Sequence, residues 1–167
     1  MAPRHCRRRT RTRGAHEEMA RSFGLADVVR FHGALRYDEV TALYRPAAVC
    51  VAPSVIGPAG RTEGIPNVMI EALAHGRPAI STRVAGIPEL ICGGETGWLT
   101  DPGDVDGLLD ALRAVRDAPG EARRRAGNGR RLVEDEYDLR VNTLRQLALF
   151  GAPPGPDPAA TAAAEVV

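Results

Sequence analysis

Two short apolar runs, Val49-Cys50-Val51-Ala52 and Ala79-Ile80-Ser81-Thr82, lack the polar alternation of a half-solvated strand, and this predicts parallel strands buried on both faces. Between them Pro66 suits a first helical turn, because its missing N–H would be unpaired there and its φ is already near helical. The helix is predicted to run to about His75, with Gly76 as its stop. Val68, Met69, Ile70, Ala72, Leu73 and Ala74 surround Glu71 on nearly every side, the pattern of a helix packed on a sheet. Strand, helix and strand together make a βαβ unit.

Upstream, residues 28–31 (Val-Val-Arg-Phe) read as a strand, and residues 38–44 as a short helix with Val40, Leu43 and Tyr44 inward. Downstream, Val105, Leu108, Leu109, Leu112 and Val115 recur at helical spacing behind Asp104, a good cap residue. Residues 121–137 form a charged helix laced with arginine, read as a solvated face, and Leu139, Leu144 and Leu147 mark a last helix. Gly93-Gly94 and Gly97 read as a hairpin-like connection rather than a phosphate loop, since no helix opens directly after them. Trp98 reads as core or hinge packing, or as a pocket border, and Ser81 and Thr82 as residues that close a strand near the site.

The densest chemistry lies in Glu63-Gly64-Ile65-Pro66-Asn67-Val68-Met69-Ile70-Glu71. A carboxylate inside an apolar helix is costly unless something hydrogen-bonds it, which suggests a bound polyol or cation. In a βαβ unit the loop after the first strand, here residues 53–65, lies at the carboxyl edge of the sheet, where ligands of open α/β folds collect. The first free amides of the helix, on Asn67, Val68 and, if it caps the helix, Ile65, favour a phosphate together with the helix dipole. Beside such an anion, Glu63 can accept from sugar hydroxyls and Glu71 from a ribose diol. The residues alone allow a second reading, in which Glu63 caps the helix and Glu71 pairs with a nearby arginine.

Composition narrows the classes. With 167 residues and 44% hydrophobic content the chain can bury one core. Arg4, Arg7, Arg8, Arg9, Arg11 and Arg13 make a basic start, but net charge is only +1 and aromatic residues are 4%, so a nucleic-acid-binding role lacks stacking residues and no nucleic-acid partner is expected. No apolar stretch follows the arginines as a secretory leader requires, and no run approaches a membrane span. Cys6, Cys50 and Cys92 lack metal-ligand spacing and read as reduced, structural thiols, and His32 and His75 read as structural too. A sugar-nucleotide epimerase is disfavoured, because the chain has no Gly-x-Gly-x-x-Gly after an opening strand and no lysine.

The runs Ala52-Pro53-Ser54, Glu63 to Asn67, Glu71-Ala72-Leu73-Ala74-His75-Gly76-Arg77-Pro78, Gly86-Ile87-Pro88-Glu89-Leu90-Ile91 and Gly97-Trp98-Leu99 resemble the C-terminal, donor-binding domain of retaining GT-B glycosyltransferases of the family-4 type (glycosyl transferases group 1). The exopolysaccharide, colanic-acid-like branch is the nearest in appearance. In that family two acids with seven residues between them are the signature, and Glu63 and Glu71 occupy both places. The resemblance implies an α/β fold, a Rossmann-like parallel sheet with flanking helices, forming the C-terminal half of a GT-B fold whose N-terminal domain is missing. It implies that Glu63, the catalytic candidate, contacts donor-sugar hydroxyls, that the backbone of Gly64, Ile65, Pro66 and Asn67 approaches sugar and diphosphate, that Glu71 holds the ribose, and that the backbone of Leu35 meets the base.

On this resemblance residues 1–14 are a basic, disordered arm, 15–150 the nucleotide-sugar-binding domain, truncated at its start, and 151–167 a disordered Pro/Ala tail. Where the family has an apolar strand, a glycine turn and an upstream basic pair, this chain has arginines. The implied activity is retaining hexosyl transfer from a nucleotide-diphosphate sugar to a glycan or lipid-linked acceptor in polysaccharide synthesis, with no cofactor and no metal, in the cytoplasm or at the inner membrane surface. The alternative is a catalytically inactive relic or nucleotide-binding module that keeps only the fold.

Overall fold

The computed structural model describes residues 4–62 and 64–151, with side chains from Arg13 onward except Ala59. The chain divides into two compact units, Met1–Thr41 and Ala42–Val167. In the first, helix α1 (Arg4–Ser22) takes in the described part of the Arg-rich start. Arginine is a good helix former, and Arg13 and Glu17 pair one turn apart at 2.6 Å, so an apolar stripe is not needed for helix there.

Residues 28–31 form no strand. The Leu25 carbonyl accepts from the amides of both Val28 (3.1 Å) and Val29 (2.9 Å), which winds the chain into a turn and withdraws those donors from any ladder. The Phe31 carbonyl is taken by the Arg13 guanidinium at 2.9 Å. Helix α2 (Tyr37–Tyr44) then opens with one half of a capping box, the Glu39 carboxylate accepting the Arg36 amide at 2.8 Å. Of its three expected inward residues Tyr44 is buried and Val40 half-buried, while Leu43 is exposed.

The second unit is built on a parallel sheet in the order β1 (Cys50–Ala52), β2 (Ala79–Thr82), β3 (Trp98–Thr100). Cys50 pairs with Ala79 and Ile80 with Trp98. Every residue of β2 is buried. Because successive strand side chains point to opposite faces, Ala79 and Ile80 serve different cores. Ala79 joins Met69 and Leu73 of α3 (Asn67–Ala74), Ile87 and Leu90 of α4 (Ile87–Leu90) and Val133 of α6 (Pro119–Glu136). Ile80 packs with Ala111 and Val115 of α5 (Val105–Asp117) and Ala122 of α6.

Asp104 caps α5 by accepting the Gly107 amide at 2.9 Å, as its position predicts. On α5 the burial falls on Ala111 and Val115, and Val105 and Leu109 are exposed although they sit in the apolar pattern. Helix α6 is not simply a solvated face. Ala122, Ala126, Gly129 and Val133 recur every three or four residues and are buried, so the helix lies on α3 through its smallest side chains. A Cβ on Gly129 would stand 2.5 Å from Leu73 Cδ2 and 3.1 Å from the Thr96 carbonyl oxygen. The last helix, α7 (Leu139–Leu149), is capped by Asp138 and buries none of its residues. Of the expected tail, only Gly151 is among the described residues.

Gly97, ahead of β3, is equally constrained. An added Cβ there would lie 2.6 Å from the Ala79 carbonyl oxygen and 2.9 Å from Ile91 Cγ2. Backbone cannot yield as a side-chain tip can, so Gly97→Ala is expected to cost about 2 kcal/mol of stability, measured by urea unfolding; an unchanged midpoint would contradict this packing. A second prediction concerns acid. Arg124 and Arg125, by hydrogen bonding, hold the Glu121 carboxylate down to about 2 from 4.5. A depressed folded-state value stabilises above the unfolded value and loses that contribution as pH falls through the folded one. The difference in stability between wild type and Glu121→Gln should therefore shrink as pH is lowered from about 4.5 to about 2, followed by denaturation at a series of pH values.

Candidate functional site

The site grows from the carboxyl edge of the sheet. After β1 the chain runs through residues 53–66, with one 3-10 turn at Pro58–Gly60, before entering α3. Its first residues are lashed to β2. The Ser81 hydroxyl donates to the Ala52 carbonyl and the Thr82 hydroxyl to the Ser54 carbonyl, each at 2.6 Å. These two polar side chains are buried, so the hydrogen bonds offset a desolvation cost and fix where the loop leaves the sheet. Beyond the lashings, Pro53, Ser54, Val55, Gly57, Pro58, Arg61 and Thr62 line a cavity of about 510 Å³.

The far end of the loop is fixed by packing. Ile65 joins the core that includes Met69 and Ile87, and its Cγ1 lies 3.2 Å from where a Cβ on Gly86 would stand. A side chain at 86 would press on Ile65, which would have to give by a few tenths of an ångström. Next to it Ala85 has φ 47°, the one non-glycine residue with positive φ among those described. Such a conformation costs an alanine of the order of 1 kcal/mol. The sequence carries no signal for it.

Pro66 is the N-cap of α3 rather than its first turn, with φ −65° and ψ 126°. Its carbonyl accepts the first helical bond, from the Met69 amide at 2.9 Å. The amides of Asn67 and Val68 precede that bond and belong to the open, positive end of the helix. Gly64 and Asn67 are exposed at this end, and Ile65 and Pro66 half-buried. Met69, Ala72 and Leu73 are fully buried while Val68 is exposed, so α3 is apolar on one side and open on the other.

Glu71 is half-buried on the next turn. Its Oε2 accepts a hydrogen bond from the Tyr44 hydroxyl at 2.9 Å, and the same hydroxyl lies 3.4 Å from the Val68 carbonyl oxygen. The Tyr44 ring in turn stacks on His75, centroids 5.1 Å apart and planes 22° from parallel. Among the described residues Glu71 makes no ion pair, so the arginine expected in the second reading is replaced by a tyrosine. Cys50 faces the same acid from β1. Burial, and then the charge of Glu71, push its thiol pKa up, which suits an inert structural cysteine.

Of the residues expected at the site, Gly64, Ile65, Pro66, Asn67 and Glu71 come together at the start of α3. Glu63 lies outside the described residues. Leu35 belongs to the first unit, half-buried ahead of α2. Trp98 borders a second cavity, of about 400 Å³, and carries the Arg125 guanidinium 4.3 Å above its ring. No group of three or more His, Cys, Asp or Glu side chains that could hold a metal occurs among the described residues, and none of their helices is long and apolar enough to cross a membrane. Tyr44 is the site residue that sequence reasoning missed. Its place in the helical pattern marks it only as an inward residue, and its hydroxyl, which a buried tyrosine must pair, is the available signal.

A parallel α/β domain with a lashed loop and an acid-bearing helix at its carboxyl edge has the architecture of a GT-B glycosyltransferase half, and comparison agrees. The pattern of the family described as Glycosyl transferases group 1 matches residues 8–117, and the chain belongs to that family. It is 30% identical to the MMP alpha-(1->4)-mannosyltransferase of Mycolicibacterium hassiacum over 82% of this chain and 32% of that protein. It is 41% identical to the putative colanic acid biosynthesis glycosyltransferase WcaL of Escherichia coli K12 over 55% of this chain and 23% of WcaL. The fold also matches Anabaena Alr3699/HepE, solved in complex with UDP-glucose, with a TM-score of 0.71 and 23% identity over 83% of this chain and 36% of that one. The chain thus spans about a third or less of the length of these curated relatives.

The lashings make a direct prediction. Thr82→Val keeps the shape but leaves the Ser54 carbonyl without its donor, at an expected cost of about 1–2 kcal/mol. Hydrogen exchange should rise first in residues 53–62, and an unchanged exchange pattern would show that the loop is held by other means.

Proposed function

We propose that this chain is the nucleotide-sugar-binding, C-terminal half of a retaining GT-B glycosyltransferase of the family-4 type. The reaction would move a hexose from a nucleotide-diphosphate donor to a glycan or lipid-linked acceptor in polysaccharide synthesis. The observation that carries this is Glu71: a half-buried carboxylate on α3, met by a neutral donor rather than a cation among the described residues, one turn from the open end of the helix. A site with both a free acceptor charge and a cluster of amides suits a ligand that offers hydroxyls and phosphates together.

In this reading Glu71 takes the ribose diol and the amides of Gly64, Ile65 and Asn67 approach the sugar and diphosphate. Glu63 meets the donor-sugar hydroxyls beside the reacting carbon. The α3 dipole then favours the diphosphate as it leaves, so the domain contributes charge stabilisation of the leaving group with no metal or cofactor. The name of WcaL supports a polysaccharide product, and the HepE complex supports a UDP-sugar as a donor worth testing. The proposed setting is cytoplasmic, peripheral to the inner membrane. The acceptor half is proposed to come from sequence beyond this domain, since the relatives are about two and a half times as long as this chain.

The test is titration calorimetry of the chain with UDP-glucose and GDP-mannose, wild type against Glu71→Ala. The variant should lose about 2 kcal/mol of binding to whichever donor the wild type takes, roughly a thirtyfold weaker Kd. Equal affinity in both proteins would remove Glu71 from the donor site and with it this assignment.

A further inference from the structure

We propose that Tyr44 is a positioning residue for ribose recognition, its hydroxyl holding the Glu71 carboxylate in the orientation that accepts a ribose diol. The inference rests on the donor-binding reading above and adds to it a residue 27 positions upstream, on a different helix.

A glutamate has three rotatable bonds, and a half-buried one that must meet two hydroxyls loses affinity if it samples other rotamers. Tyr44 removes that freedom. Its ring is 6% exposed, and stacking on His75 at 5.1 Å fixes the ring plane, so the hydroxyl has little room to wander. Among the described residues its proton lies within reach of the Glu71 carboxylate oxygen at 2.9 Å and of the Val68 carbonyl at 3.4 Å. Hydrogen bonds to an ionised acceptor are the stronger kind, so the shorter distance to Glu71 is the expected one.

The choice of residue type matters as much as the distance. An arginine in this place would orient Glu71 but cancel its charge and occupy both oxygens with a bidentate fork. A phenol supplies one donor, carries no charge and contacts one oxygen. Glu71 therefore keeps its acceptor strength, and its lone pairs are not all consumed. His75, the C-cap of α3, meets Tyr44 through its ring face, and its backbone N–H donates to the Glu71 carbonyl.

The experiment titrates the full chain with UDP, GDP and ADP, and then with the 2′-deoxy and 3′-deoxy forms of the tightest binder. Wild type should prefer the ribonucleotide over the deoxy form. Tyr44→Phe keeps the ring and the stack, and should bind the ribonucleotide about tenfold more weakly while the deoxy analogues bind as before, so the preference collapses. Equal weakening of ribo and deoxy forms would show that Tyr44 acts only through packing and would overturn the proposal, as would unchanged ribonucleotide binding. Should Tyr44→Phe fail to fold, 3,5-difluorotyrosine at the same position alters hydroxyl acidity with the ring retained; a changed ribo-to-deoxy ratio supports the role and an unchanged one overturns it. If wild type binds none of the three diphosphates, the donor-site reading itself fails; if it binds without a ribose preference, only the present inference does.

Discussion

The constraint on which the second unit depends is the complete burial of β2. A strand with no side chain in water must be covered on both faces and paired on both edges, and each requirement fixes one neighbour. Ala79 demands α3 on one face, Ile80 demands α5 on the other, and β1 and β3 take the edges. Helix α6 reaches both cores, through Val133 to the first and Ala122 to the second, and so ties the two layers together. The position of α3, and therefore of Glu71, follows from this arrangement rather than from the loop that precedes it.

Most of that arrangement was legible in the sequence, because its signal is contiguous. Unbroken apolar runs at 49–52 and 79–82 are hard to satisfy except as buried parallel strands, and Pro66 and Gly76 bracket the helix between them, one residue before its observed start and two after its end. Where the signal is composed of small residues among charged ones, it was hidden. Ala122, Ala126 and Gly129 carry the buried face of α6, yet the arginines around them dominate its appearance. The converse holds at 28–31, where β-branched residues suggest a strand although a single carbonyl, that of Leu25, is enough to turn the chain. β-propensity describes a fit to a pleated surface, and no such surface pairs with those residues among the ones described.

The site divides in the same way. The acid on α3 and the glycines and proline around it could be found because they lie within one segment. What organises them is spread along the chain: Tyr44 on another helix, Ser81 and Thr82 on the next strand, Gly86 and Ala85 one turn beyond. Each of these is an ordinary core or turn residue by type, and only the fold reveals which polar group it meets. Electrostatics that depend on placement, such as the raised Cys50 thiol, are invisible for the same reason.

The two-ended attachment of the loop after β1 has an evolutionary consequence. Thr82 pins Ser54 at one end, and Ile65 against Gly86 pins the other, so the two ends of the stretch are held independently of its length. The entropy of closing a loop grows only with the logarithm of its length, roughly 0.6 kcal/mol for each doubling. Residues 55–62 are thus a place where insertions and deletions are inexpensive and leave the helix terminus undisturbed. Lineages that keep this helix can vary the depth and chemistry of the adjoining cavity by changing loop length, and so diversify what they accept without rebuilding the frame that holds it.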